Sequence, residues 1–264
     1  MRRIAAVARN TFREAARNKI LYSLLFFALA LIASALALGE LSVHEERRMI
    51  RDVGLFGVDV FSVLIAIFVG VNLLYKELAL KTVYTILPKP IARWEFVLGK
   101  WLGVMATLVA QIVVMGVAVA VTSSFEGGTE TVDAALVKAL WLLLMNVTIV
   151  TSVAMLFSSF SSPFLSGLFS LGVFVVGRSV PDVRALAERV GGGAGRILSA
   201  GCAVLPNLHL FTPSGSVVGG QHVTVHAGPF VGAGYLAWTS LYAIGYSAIV
   251  LGLAMLIFRR RDFT

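Results

Sequence analysis

The sequence predicts an all-α integral membrane protein with six transmembrane helices, an N-terminal interfacial amphipathic helix and a charged cytoplasmic bend between spans two and three. Composition points there first. Of the 264 residues, 58% are apolar and 14% charged, where soluble domains average about 45–50% and about 25%. The apolar residues also fall in blocks too long and too charge-poor for core helices, and mean hydropathy is +0.88. Finally, the basic residues favour alternate connections between those blocks.

The chain, 1–264, reads as one membrane domain. Within the leading segment 1–19, Ile4, Val7, Ala8, Thr11, Phe12 and Ala15 share one helical face, and Arg9, Arg13 and Arg17 form an i, i+4 stripe on another. That pattern suits a helix lying in the headgroup plane of an anionic leaflet, or one packing on another protein domain. The first span, 20–38, follows at once. It exceeds the core of a secretory signal and is expected to remain uncleaved.

Residues 40–53 read as a mixed-charge loop and 55–75 as the second span. Segment 76–100 is polar, with Pro88 and Pro90 at its centre. Each proline removes a backbone donor and restricts its predecessor, so helix leaving span two must stop there before restarting into span three at 98–122. The result is a stiff bend or an ordinary charged loop. Gly127-Gly128 marks a turn before span four at 136–157. Span five, 163–177, is short for a ~30 Å core and is either thinly covered or extended by Phe160. Span six is 234–258.

Outside the spans lies 178–232. PDVRALAERV (181–190) reads as a short helix with proline in its first turn, and GGGAG (191–195) breaks it. RILSAGCAVL (196–205) is about half a crossing length, which suggests a half-membrane or interfacial helix pair. SVVGGQHVTVH (216–226) has hairpin chemistry.

With both termini in the cytoplasm, the inner segments hold 14 of the 22 basic residues against four acids, a net of +10, and the outer segments net −2. The positive-inside rule therefore supports this layout in the cytoplasmic (inner) membrane. Tyr75, Trp94, Trp101, Trp141 and Tyr235 stand near span ends as interfacial anchors. Topology thus explains the basicity without nucleic acid.

Chemistry is sparse. Gly99-Lys100 lacks both the earlier glycine and the following Ser/Thr of a phosphate-binding loop, so the chain carries no nucleotide motif. His222 and His226 would stand about 13 Å apart along a strand, too far to share one ion. Cys202 is alone and forms no intrachain disulfide. No catalytic, metal or cofactor residue is assigned. The polar residues inside spans are Asp59 near the outer end of span two, Asn72, Gln111 and Asn146. They either bond between helices or line a pathway.

Residues 77–100, ELALKTVYTILPKPIARWEFVLGK, resemble the signature after the second span of type-two ABC exporter permeases. The matching positions are Glu77, Thr82, Pro90, Arg93, Gly99 and Lys100, with Lys81 where that family often has glycine. LPNLHLF (205–211) is similar to a stretch before the sixth span in some members. The resemblance implies a permease subunit of an ATP-driven exporter that dimerises with a second copy or paralogue. It implies a separate ABC ATPase, bearing ATP and Mg, bound through the inner bend and the N-terminal helix. The coupling surface is expected at Glu77, Thr82, Pro88, Pro90, Arg93, Glu95, Gly99 and Lys100, and the interfacial helix presents Arg9, Phe12, Arg13 and Arg17. Membrane lipid is the other expected partner. A membrane scaffold or assembly factor without transport activity is the alternative reading. An intramembrane enzyme is a second alternative, weakened by the lack of paired acids or Ser/His sets in the spans.

Overall fold

The computed structural model describes residues 2–40, 46–79, 92–124, 133–212, 216–218, 221–223 and 231–260. Its long helices are α1 (Arg2–Ala15), α2 (Lys19–Glu40), α3 (Glu46–Ala79), α4 (Arg93–Ser124), α5 (Ala134–Ser158), α6 (Pro163–Arg178) and α9 (Ala233–Arg260). Between the last two stand the shorter α7 (Val180–Val190) and α8 (Gly192–Val204), a 3-10 turn at Leu208–Phe211, and strands β1 (Ser216–Val218) and β2 (Gln221–Val223). Among the described residues, five helices are long and apolar enough to cross a membrane, and a sixth crossing arises if the bent pair α6–α7 counts as one.

Helix α5 is the centre of the bundle. It buries every residue from Met145 to Met155, so all its faces are covered, and it touches α3, α4, α6 and α9. Directions follow from paired contacts. Asn146 bonds Asp59 and Ser158 bonds Val71, both 87 residues apart, so α3 and α5 run parallel. Trp101 Nε1 donates to Ser152 Oγ, whereas Gly116 faces Leu140, so α4 runs antiparallel to α5. This alternation is what consecutive crossings require. Small residues permit the close approach: a Cβ on Gly70 would stand 3.1 Å from that of Ala154.

Several boundaries differ from those expected. Residues 46–53 are the first turns of α3 rather than loop, with Arg48 Nε 4.0 Å from Asp52 at i, i+4; those alternating charges mark a solvated helix face. The short fifth span is not extended by Phe160, which lies in the turn before α6. At its other end α7 follows after a 68° bend. The bend arises because Pro181 sits in the first turn of α7 and cannot donate back. Of the glycine run 191–195, only Gly191 ends a helix. Gly192–Gly195 already belong to α8, and Gly195 approaches α7 so closely that a Cβ there would meet Ala187 O at 2.5 Å. The two form the expected short helix pair.

The predicted hairpin is present at β1–β2, antiparallel with Val217 opposite His222. Segment 204–211 is held against α9 by three tyrosines. Tyr235 donates to Leu210 O (2.7 Å), Tyr246 donates to Val204 O (3.1 Å), and the Asn207 N–H donates to Tyr242 Oη (2.9 Å). Leu208 and Phe211 are thereby buried. Tyr235, expected as an interfacial anchor, serves as a clamp.

Candidate functional site

Two regions concentrate polar chemistry. The first is half-way along the bundle. Asp59 is 2% exposed, and since α3 begins at Glu46, it lies near the middle of the apolar stretch Arg48–Asn72, deeper than the sequence suggested. Asn146, at the middle of α5, donates Nδ2–H to Asp59 Oδ1 at 2.9 Å. Arg178, the last residue of α6, pairs with Asp59 Oδ2. One carboxylate thus joins three helices, and its guanidinium partner stands at the start of the 68° bend. Bringing both charges together is what makes a carboxylate tolerable at this depth. Arg178 was missed as a site residue. The available signal was a lone cation closing an apolar run, matched by a lone acid in another span.

Other buried polar groups stand at the same depth. The offset of Ser158 from Val71 sets Ser62 level with residue 149 of α5. The Trp141–Ser240 bond sets Ser247 level with residue 148. Between the Trp101–Ser152 and Gly116–Leu140 contacts, Gln111 falls within about a turn of Asn146. Ser62 Oγ, Ser247 Oγ, Asn146 Oδ1 and both polar atoms of Gln111 are buried with no hydrogen-bond partner in the described chain. Asp59 and Asn146 are thus brought together; Gln111 shares their layer without bonding to them. Asn72 is elsewhere, exposed near the end of α3, donating to Phe68 O at 2.8 Å.

The second region is where α1 meets α4. The apolar stripe of α1 does not lie open to a headgroup plane: Thr11 and Ala15 are buried, and Ile4, Val7, Ala8 and Phe12 are partly covered. They pack on Gly99 and Gly103. A Cβ on Gly99 would come within 2.7 Å of Val7 Cβ, and one on Gly103 within 2.5 Å of Thr11 Cβ and 2.6 Å of Ala8 O. Two contacts, four residues apart on each helix, mean that α1 and α4 lie side by side in the same direction. The glycine pair is a small-xxx-small seat, a signal the sequence reading passed over by treating Gly99 only as half of a Gly-Lys pair. Arg9, Arg13 and Arg17 remain exposed on the outer face of α1.

Lys100, expected to charge an inner surface, is 3% exposed and lies with Nζ 5.0 Å from the centre of the Phe96 ring. Glu95 is partly exposed and accepts from the Ala92 N–H at 3.2 Å, closing the start of α4. Thr82, Pro88 and Pro90, together with His226, lie outside the described residues, as do the side chains of Glu77 and Arg93. Among the described residues no group of three metal-ligating side chains occurs.

The sequence profile of ABC-2 family transporter proteins matches residues 5–263. The chain belongs to that family. Comparison with curated proteins finds no match. Membership makes the permease a multi-pass membrane subunit of an ABC transporter, a component that is not itself the catalytic one.

Proposed function

We propose that this permease is the membrane half of an ATP-driven exporter in the cytoplasmic membrane, working as a dimer with an ATPase bound to the α1 end of each copy. The observation that carries the reading is the family match over nearly the whole chain, on a bundle whose span directions alternate. Export rather than import rests on the resemblance of residues 77–100 to exporter signatures. The charge distribution orients the α1 end and both termini toward the cytoplasm.

In this reading the exposed arginines of α1, Glu95 and the 77–93 bend form the docking surface. Gly99 and Gly103 act by seating α1, and Lys100 by packing beneath it. ATP and Mg belong to the partner; this chain supplies no cofactor site. The Asp59–Asn146–Arg178 cluster fixes α6 against α3 and α5. Gln111, Ser62 and Ser247 give the bundle a polar layer that can exchange partners when the helices shift.

The test is affinity purification of the full-length protein from its native membrane, followed by ATP-dependent transport in vesicles. A Walker-motif ATPase should co-purify, and charge reversal by Glu77→Lys with Arg93→Glu should lose both association and transport. Unchanged association and transport in that double variant would reject the docking surface. Wild-type protein that recruits no ATPase would favour the scaffold.

A further inference from the structure

The α1 end carries a second feature, which shares Arg13 and Arg17 with the proposed docking surface. Where the α1–α2 turn meets α3 there is a hollow of about 680 Å³. It is lined by Asn10, Arg13, Glu14, Arg17, Asn18 and Asn72, with the buried Ala15 and Val69 behind them. Its walls are built rather than incidental. The Tyr22 hydroxyl donates to Ala16 O at 2.6 Å, the Asn18 side chain accepts from the Ile20 N–H, and Thr11 and Ala15 of α1 are buried. The arginines therefore project from a fixed turn.

A second hollow begins at the same residue. Asn72 also lines a groove of about 370 Å³ between α3 and α6. Leu64, Ile67 and Phe68 form one wall, and Phe164, Gly167 and Leu168 form the other. Eight residues of α3 separate Leu64 from Asn72, so the groove runs about 12 Å along the helix. Phe164 is 81% exposed and Leu168 53%, so the groove opens sideways, where acyl chains would be. Its lining is almost wholly apolar, whereas the neighbouring hollow is polar with two cations and, among its described lining residues, one acid.

We infer that the two hollows together hold one anionic phospholipid of the cytoplasmic leaflet. Its phosphate is met by Arg13 and Arg17, its headgroup by the amides of Asn10, Asn18 and Asn72, and one acyl chain lies in the α3–α6 groove. Among the described lining residues the charge balance favours an anionic over a zwitterionic headgroup: two guanidiniums face the one carboxylate of Glu14, which would repel a second negative charge. A basic pocket that adjoins apolar helix surface at the cytoplasmic boundary is the setting in which such lipids are retained. The bound lipid would bridge the α1–α2 turn and α6. The leaflet assignment rests on the orientation proposed above; the binding chemistry does not.

Native mass spectrometry of the purified full-length chain, titrated with phosphatidylglycerol or phosphatidylcholine, tests this. One phosphatidylglycerol should be retained at least about tenfold more strongly than phosphatidylcholine. Arg13→Gln with Arg17→Gln should remove that preference, whereas Arg9→Gln, on the same stripe but outside the hollow, should keep it. Gly167 has open space around it, so Gly167→Trp should fill the groove and displace the lipid without disturbing the fold. Equal retention of the two lipids, or a preference that survives both the Arg13/Arg17 double variant and Gly167→Trp, would overturn the site. So would a Gly167→Trp variant that alters only the oligomeric state, since the groove would then be covered by a second copy. Impermeant labelling that placed α1 on the outer face would overturn the leaflet and leave the binding preference standing.

Discussion

Asp59 places a carboxylate at 2% exposure in the middle third of a 34-residue helix, a position tolerable because Arg178 and Asn146 reach it. Removing one member of a buried pair typically costs about 3–5 kcal/mol, because the partner charge is left uncompensated. Arg178 is 31% exposed and can turn partly toward solvent, so the lower end of that range applies. Asp59→Ala should therefore lower stability by about 3 kcal/mol, read as a lowered melting midpoint in detergent. Asp59→Leu combined with Arg178→Leu should recover most of that loss. Equal melting of Asp59→Ala and wild type would show that the pair carries no weight. Tyr242→Phe is a milder probe: it leaves the stacking with Phe211 (6.4 Å) and removes the acceptor of the Asn207 N–H. It should cost about 0.6–1 kcal/mol, in line with single interhelical bonds in membranes.

Among the elements, α1 makes the clearest prediction. A side chain on Gly103 meets the Ala8 carbonyl at 2.6 Å, and backbone cannot swing aside as a flexible side chain would. Gly103→Leu should unseat α1 at a cost of about 1–3 kcal/mol, raising its open population roughly five- to hundredfold. Limited trypsin cleavage after Arg9 and Arg13 should accelerate accordingly, and an unchanged cleavage rate would contradict the seat. Gly172→Leu, which has open space, is the control.

The same elements show what the sequence could convey. The helices expected at 20–38, 136–157 and 234–258 match α2, α5 and α9 to within two residues, because hydropathy reports what a segment buries regardless of its neighbours. The start of α3 was not, since Arg48 and Asp52 look alike in a loop and on a solvated helix face. The bend at Arg178 was half legible: Pro181 announced a new helix, but its 68° angle depends on packing. Gly177 is wedged so tightly against segment 206–208 that a Cβ would meet Pro206 O at 2.7 Å. Asp59, Asn146 and Gln111 stood out as polar residues in apolar runs. Their partners did not, because depth registers between helices that are far apart in sequence are not written in either helix alone. Arg178 was overlooked for that reason.

For the whole molecule, the account requires that α3, α5 and α9 cross in one sense and α2, α4 and α6 in the other, with the α1 end toward the ATPase. The paired contacts establish the alternation of α3, α4 and α5, and the charge distribution favours the proposed sign. Labelling with a membrane-impermeant maleimide tests this most directly. The single native cysteine is buried and is replaced first by Cys202→Ala; single cysteines are then introduced by Arg3→Cys, Ser216→Cys and Arg260→Cys. Position 216 should label in right-side-out vesicles while positions 3 and 260 label only in inside-out ones. Labelling of positions 3 and 260 from opposite faces, or of both from the outer face, would contradict the six-crossing layout and the placement of the ATPase that depends on it.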